Sequence, residues 1–193
     1  HVAYPIYLEY DQTHYEDEKD ADGNPKKTIE HKNEQINSCS ALWRRNKSEL
    51  KEEDYKEFYK NNYNDYEDPL FYIHTKAEGT TEYTTLFYIP ATAPMDMNYA
   101  DYKPGVKLYV KRVYITDDDK TLLPTYLRFV RGIIDSEDLP LNVSREILQE
   151  NKIMNTIRNG SVKKLLGEFK KLSESNPELF EKFIKQYNRP LKE

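Results

Sequence analysis

A single cysteine, Cys39, excludes an internal disulfide and fits a reducing compartment. Glycine is scarce as well, with six in 193 residues. Neither G-x-x-x-x-G-K-(S/T) nor G-x-G-x-x-G occurs, so the chain has no recognisable phosphate-cradling loop of its own. His1, His14, His31 and His74 are scattered without paired-ligand spacing, which leaves no structural zinc site; no metal ligand set is expected. The acidic run Glu16-Asp17-Glu18, with Asp20 and Asp22 beyond it, lacks the spacing and terminal Glu of an EF-hand loop and reads as a solvated linker. No apolar run approaches the length that spans a bilayer, so no membrane partner is expected. The chain begins at His1 without Met, and the lack of a visible signal peptide therefore carries little weight. Positive charge is in deficit: the formal net charge of -5 disfavours nucleic-acid binding by phosphate neutralisation.

What is present is a modest core under a well-solvated surface, with 37% hydrophobic and 33% charged residues. Tyrosine is abundant, with 17 copies. They are scattered over many elements and are not interleaved with Lys or Arg on one strand pair, as a base-stacking platform requires. Half-buried positions that keep an apolar ring and a wet hydroxyl explain them better.

Along the chain, Val2 to Tyr10 reads as a strand with Pro5 at an edge position. Asp11 to Lys27 is polar and contains Asp22-Gly23-Asn24-Pro25, a hairpin loop or linker, and Thr28 to Ile36 is a candidate return strand. Glu52 to Tyr63 predicts a helix, with Tyr55, Phe58, Tyr59 and Asn62 on one stripe and three acidic residues at its start. Leu70 to Lys76 and Tyr83 to Ile89 predict a hairpin around Glu78-Gly79-Thr80. Val106, Leu108 and Val110 alternate with polar neighbours as in a half-buried strand, and a bulge at Arg112 would bring Val113 and Ile115 into phase. Leu122 to Val130 reads as a short helix closed by Gly132, followed by a short buried strand at Ile133-Ile134. From Glu146 to about Leu172 the pattern is helical, with a kink or break at Gly160. Asn176-Pro177-Glu178 starts a last helix, whose apolar face is Leu179, Phe180, Phe183, Ile184 and Tyr187. Strands with helices between and after them imply an α/β layer structure.

The most informative segment is Asp138-Leu139-Pro140-Leu141-Asn142-Val143-Ser144-Arg145-Glu146-Ile147-Leu148-Gln149. Arg145 and Gln149 stand four residues apart, about one helical turn, and so can reach out from one face. Arg offers a rigid, permanently charged fork suited to phosphate oxygens and can complete a nucleotide site that lies elsewhere. From the residues alone a surface salt bridge from Arg145 to Glu146, Asp138 or Glu137 is the favoured reading. Trp43, the sole Trp, is either a core aromatic or an amphipathic anchor beside Arg44 and Arg45.

Longer runs resolve these choices. Gly105-Val106-Lys107-Leu108-Tyr109-Val110-Lys111-Arg112-Val113-Tyr114-Ile115-Thr116-Asp117-Asp118, then Leu123-Pro124-Thr125-Tyr126-Leu127-Arg128-Phe129-Val130-Arg131-Gly132-Ile133-Ile134-Asp135-Ser136, run into the Arg segment. With Ala41-Leu42-Trp43-Arg44-Arg45-Asn46, Glu67-Asp68-Pro69-Leu70 and Tyr88-Ile89-Pro90-Ala91-Thr92-Ala93-Pro94, they closely resemble the middle domain of the ninety-kilodalton heat-shock chaperone family, bacterial HtpG type. The resemblance runs from about Val2 to about Lys192.

It implies a layered α/β fold, a sheet with packed helices similar to the second domain of ribosomal protein S5, followed by a C-terminal helical connector. Residues 1–36 would hold the end of an N-terminal domain strand plus a charged linker or hairpin. Residues 37–145 would form the large middle subdomain with the Arg loop, and 146–193 the connector to an absent smaller subdomain. In the family this Arg reaches the terminal phosphate of ATP held by the N-terminal domain, which implies catalytic roles for Arg145 and Gln149, with Asn142 supporting the loop. Tyr114, where relatives usually carry Phe, would lie near the docking surface of the nucleotide domain, and Lys111 stands where relatives often have Arg. Trp43 would contact clients or the neighbouring domain. The implied partners are unfolded or partly folded client proteins, the chaperone's own N-terminal ATPase domain and a second copy in a homodimer, in the cytoplasm. ATP and Mg2+ would be bound outside this chain. Two alternatives stay open: a pure protein-interaction module with no catalytic contribution, and an RNA-binding S5-like domain, which the acidic balance opposes.

Overall fold

The computed structural model describes residues 4–19, 25–37, 40–99, 101–117, 121–141 and 151–192. The chain divides into two compact units, His1–Ala41 and Leu42–Glu193.

In the first unit, β1 (Tyr7–Lys19) and β2 (Pro25–Gln35) pair antiparallel, with Tyr7 opposite Gln35 and Tyr15 opposite Lys27. The charged stretch read as loop or linker is thus strand up to Lys19 and again from Pro25. Cross-strand partners explain why: Tyr10 donates to Glu34 (3.2 Å), Asn33 donates to Glu9 (3.0 Å), His14 lies 3.3 Å from Glu30, and Asp11 sits beside His31. Donors and acceptors that looked merely solvated face one another across the ladder.

The second unit is built on a five-stranded sheet. In chain order its strands are β3 (Phe71–Ala77), β4 (Tyr83–Ile89), β5 (Gly105–Val110), β6 (Val113–Thr116) and β7 (Arg131–Ser136). In space the order is β3-β4-β7-β5-β6; β5 and β7 run parallel and the other pairs antiparallel. Register assigns the faces. Phe71, Ile73, Phe87, Ile89, Val106, Leu108, Val110 and Ile134 join one core cluster with residues of two helices, α2 (Lys152–Ser175) and α3 (Pro177–Lys192). Met154, Ile157, Leu165 and Phe169 come from α2, and Phe183 and Tyr187 from α3, all buried. Phe169 and Phe183 stack edge and tilt against each other and Phe71, and Tyr187 lies parallel to Phe129 at 4.2 Å.

The opposite face is chemically different. Helix α1 (Glu52–Tyr63) covers it with Tyr55, Phe58, Tyr59 and Tyr63. Its start is fixed where Asp54 Oδ2 accepts the Lys51 backbone N–H (2.8 Å), and Asn64 ends it at φ 51°. The hydroxyls are placed by protein partners: Tyr59 donates to Asp65 (2.6 Å), Tyr63 to the Gly132 carbonyl (2.7 Å) and Tyr88 to the Tyr55 carbonyl (3.0 Å). Burial pushes the Tyr59, Tyr63 and Tyr88 hydroxyls above the ordinary phenol range, so they stay neutral donors.

The expected layered α/β class, a sheet with packed helices and helices at the C-terminal end, is the observed one. Four local expectations change. Leu122 to Val130 holds only a 3-10 turn, Thr125–Leu127. Leu122, Leu123, Leu127, Phe129 and Val130 are all buried, so their apolar density records enclosure on many sides, not a helical stripe. Between β5 and β6 the slip is a tight turn at Lys111 and Arg112, both at positive φ (50° and 68°), with a register irregularity opposite Leu108 and Tyr109. Helix α2 follows Asn151, whose side chain accepts from the backbone of Ile153 (2.8 Å) and Met154 (3.4 Å), and the expected helical residues 146–150 lie outside the described residues. The helix runs through Gly160 without a break; a Cβ there would collide with the Tyr83 hydroxyl, so the glycine leaves room for the tip of that side chain.

Gly132 closes no helix. It lies inside β7 at φ 152°, and a Cβ would strike the Leu86 carbonyl and come within 2.9 Å of Phe87 Cα. Both obstacles are backbone of the adjoining strand and cannot swing aside. Gly132→Ala is therefore expected to lower the unfolding free energy by about 2–3 kcal/mol, read from the urea midpoint. A midpoint equal to the parent's would mean that β4 and β7 separate at no cost.

Candidate functional site

The C-terminal ends of the parallel strands β5 and β7 lie side by side, with Val110 opposite Ser136. Two segments leave from here. One is the Lys111–Arg112 turn into edge strand β6; the other is the chain after β7, which carries the Arg segment. The Lys111 N–H donates to the Ser136 carbonyl (2.9 Å) and ties the two together.

The chain beyond β7 starts from a fixed base. Ser136 Oγ accepts the backbone N–H groups of Asp138 and Leu139 (both 3.2 Å). Asp138 Oδ2 accepts the Glu82 N–H (2.6 Å), while the Glu137 N–H donates to the Glu82 carbonyl (3.0 Å). Arg44 pairs with Glu137, and Leu139 is fully buried. Asp138 is thus a backbone clamp. Asn142, Arg145 and Gln149 lie outside the described residues, which resume at the Asn151 cap.

Beneath the turn sits Asp135, a residue without a periodic signature. Asp135 is 0% exposed. Its Oδ2 accepts the Trp43 indole N–H (2.8 Å) and its Oδ1 accepts the Arg112 backbone N–H (3.1 Å). One carboxylate joins the 3-10 turn Leu42–Arg44, strand β7 and the β5–β6 turn. A charged letter inside the apolar run Gly-Ile-Ile-Asp-Ser was the available signal, because an acid in a buried strand needs donors.

Trp43 is 1% exposed and packs on Tyr109 (4.9 Å) and Phe58 (5.9 Å). Of the two readings of Trp43, this burial fits the core aromatic, with the indole held by its N–H bond to Asp135. Tyr114 is 49% exposed, with its ring edge-on to Tyr109 at 5.7 Å, and neighbouring Val113 is 51% exposed. Edge strand β6 therefore offers an apolar surface next to the base of the Arg segment, backed by Tyr109, Trp43 and Asp135.

His74 supports the same layer from β3. Its Nε2 lies 2.9 Å from the Trp43 carbonyl, which only accepts, so Nε2 carries the proton and Nδ1 accepts the Tyr55 hydroxyl (2.9 Å). Burial holds the imidazole below its ordinary pKa, against the bond to the Trp43 carbonyl, and Lys47 adds to the lowering.

A family profile described as Hsp90 protein matches residues 7–193. The chain belongs to the Hsp90 family. Relatives named Chaperone protein HtpG match all of it: those of Treponema denticola and Treponema pallidum are each 63% identical, and that of Helicobacter pylori is 61% identical. The chain spans 29% of the length of the two Treponema relatives and 30% of the Helicobacter one. Among solved structures, the middle domain of a Plasmodium falciparum heat shock protein is similar at a TM-score of 0.67 and 33% identity, covering 79% of this chain and 57% of that one. The chain thus has the Hsp90 middle-domain fold and is similar over its whole length to part of the HtpG relatives. Among the described residues no helix is long and apolar enough to cross a membrane.

Two measurements follow from the site. Asp135→Ala takes the shared acceptor from the Trp43 and Arg112 N–H groups and should cost about 3 kcal/mol or more. Arg112→Gly should stabilise the parent by about 0.5–1 kcal/mol, because glycine accepts positive φ freely. Urea unfolding of both variants reads this, and an Asp135→Ala midpoint matching the parent's would show that the carboxylate holds nothing. His74 yields a pH dependence. Its folded pKa lies below the unfolded value near 6.5, so the unfolded chain binds the proton more readily. Its stability contribution is complete above about pH 6.5 and declines as pH falls below that value toward the folded pKa. Urea midpoints from pH 8 to 5 should fall further in the parent than in His74→Gln; parallel curves would remove His74 as the cause.

Proposed function

We propose that this chain is the middle part of an ATP-driven chaperone, and that Arg145 completes an ATPase site whose nucleotide is held by a separate N-terminal domain. The observation that carries the reading is the rigid base from which the Arg segment departs: Ser136, the Asp138–Glu82 clamp and buried Leu139 on one side, the Asn151 cap on the other. A cation that meets charge developing on a transferring phosphoryl group must be held in place beforehand. ATP is the substrate and Mg2+ accompanies it; among the described residues no group of three or more His, Cys, Asp or Glu could hold a metal ion. Asn142 shapes the loop through side-chain to backbone bonds, and Gln149 orients the closed arrangement.

In this reading Tyr114 and Val113 on β6 form the docking surface for the nucleotide domain. Docking brings Arg145 to the substrate, so hydrolysis is gated by domain closure. Clients are unfolded or partly folded proteins, bound with low sequence specificity through apolar patches. The working assembly is a cytoplasmic homodimer.

The test is steady-state hydrolysis with equilibrium nucleotide binding in the full-length protein. Arg145→Ala is expected to lower turnover by roughly tenfold to a hundredfold with affinity nearly intact, less than the loss for a full arginine finger because the loop must first dock. Arg145→Lys should recover part of it, keeping charge and losing the fork. Gln149→Ala should act in the same direction with smaller effect. Parental turnover in a folded Arg145→Ala protein overturns the proposal.

A further inference from the structure

The ladder between β4 and β7 ends in an unusual way. Tyr83 stands opposite Ser136 in the last register pair, and one step further the Glu137 N–H still donates to the Glu82 carbonyl (3.0 Å). A hydrogen-bonded antiparallel pair normally exchanges both bonds, so the Glu82 N–H would return to the Glu137 carbonyl. It donates instead to Asp138 Oδ2 (2.6 Å). The Asp138 carboxylate takes the place of a backbone acceptor, and the main chain turns off the sheet at this residue. Ser136 Oγ fixes the turn by accepting the Asp138 and Leu139 N–H groups (both 3.2 Å), and Arg44 pairs with Glu137.

This bond separates direction from stability. Asp138 is exposed, so water can take over the Glu82 N–H, and the net contribution to folding is small. What the bond supplies is a fixed heading: it ties the first residues of the Arg segment to the β3–β4 hairpin, 56 residues earlier in the chain. It also commits charge. Glu137 and Asp138 are two of the acids that the sequence offers Arg145 as salt-bridge partners, and each already serves the base of the segment, one on Arg44 and the other on the Glu82 backbone.

We propose that Asp138 is a positioning residue for the hydrolysis that Arg145 assists, acting through the Glu82 backbone and without contact to the nucleotide. The inference rests on the ATP-completing reading. Misplacing a reacting group by about 1 Å can cost roughly a hundredfold in rate. A loosened base therefore shows in turnover before it shows in stability.

The experiment is steady-state ATP hydrolysis by the full-length protein carrying Asp138→Ala, Asp138→Asn, Arg145→Ala or both Ala substitutions, with the urea midpoint of each. Asp138→Ala should lower kcat about fivefold, with KM and the midpoint close to the parent's. Asp138→Asn, whose amide oxygen still accepts an N–H without the charge, should recover most of that loss. In the Arg145→Ala background Asp138→Ala should bring no further loss, because residues that act as one unit are not additive. Parental turnover in Asp138→Ala beside reduced turnover in Arg145→Ala overturns the positioning role and leaves the ATP-completing reading standing. Parental turnover in Arg145→Ala overturns that reading and this inference with it. An Asp138→Asn protein as slow as Asp138→Ala assigns the effect to charge and overturns the clamp. Full additivity of the two Ala substitutions, or a loss of kcat that tracks a fall in the midpoint, overturns action through Arg145.

Discussion

Strand β7 is inserted between β4 and β5, antiparallel to the first and parallel to the second, and the rest of the domain depends on that insertion. Strand β4 approaches closely enough that only glycine fits at position 132. One residue further on, Ile133 and Ile134 point to opposite faces, and both are fully buried. A strand covered on both faces needs a layer on each side, which α1 and the pair α2–α3 provide. Because β5 and β7 run the same way, the β5–β6 turn and the Arg segment emerge at one end of the sheet.

The two layers solve different problems. The α2–α3 face is aliphatic and phenylalanine-rich, with packing as its currency. The α1 face is rich in tyrosine and adds His74, Trp43 and two aspartates, Asp65 and Asp135. Tyr59, Tyr63 and Tyr88 each donate to a named acceptor, and burial keeps these hydroxyls neutral. Asp65 also accepts from Arg131 (3.0 Å), and Asp135 is held by the Trp43 and Arg112 N–H groups. Its grip on Arg112 makes the position of Tyr114 depend on the core behind it, so a docking surface on β6 would be as rigid as the sheet.

Much of this was legible in the residues, and the misses have physical causes. Helix α1 was read from its stripe and its acidic first turn, because capping and amphipathicity are local. β4 was read from its apolar run. The segment 122–130 failed because burial on many sides leaves the same apolar letters as a short helix. The charged hairpin failed because a strand whose partners are polar lacks the alternation that marks a half-buried one. Of the candidate site, the sequence offered the Arg segment, whose Arg145 and Gln149 lie outside the described residues, and Tyr114, which is exposed. Asp135 and Glu82 were not legible, since their partners lie 23 to 92 residues away for Asp135 and 56 residues away for Glu82.

By itself the sequence determined the elements with strong local signatures, the α/β class they imply and, through long matching runs, the family. It also placed Arg145 and Gln149 one turn apart, a spacing set by covalent geometry. Only the tertiary structure decided that Trp43 is interior, that Gly132 admits a neighbouring strand rather than ending a helix, that Gly160 faces the Tyr83 hydroxyl without a break, and that one carboxylate locks the β5–β6 turn. The reason is the range of the forces involved. Periodicity and capping act over a single turn or strand, whereas burial, close backbone approach and the satisfaction of a buried charge depend on which distant segment arrives opposite.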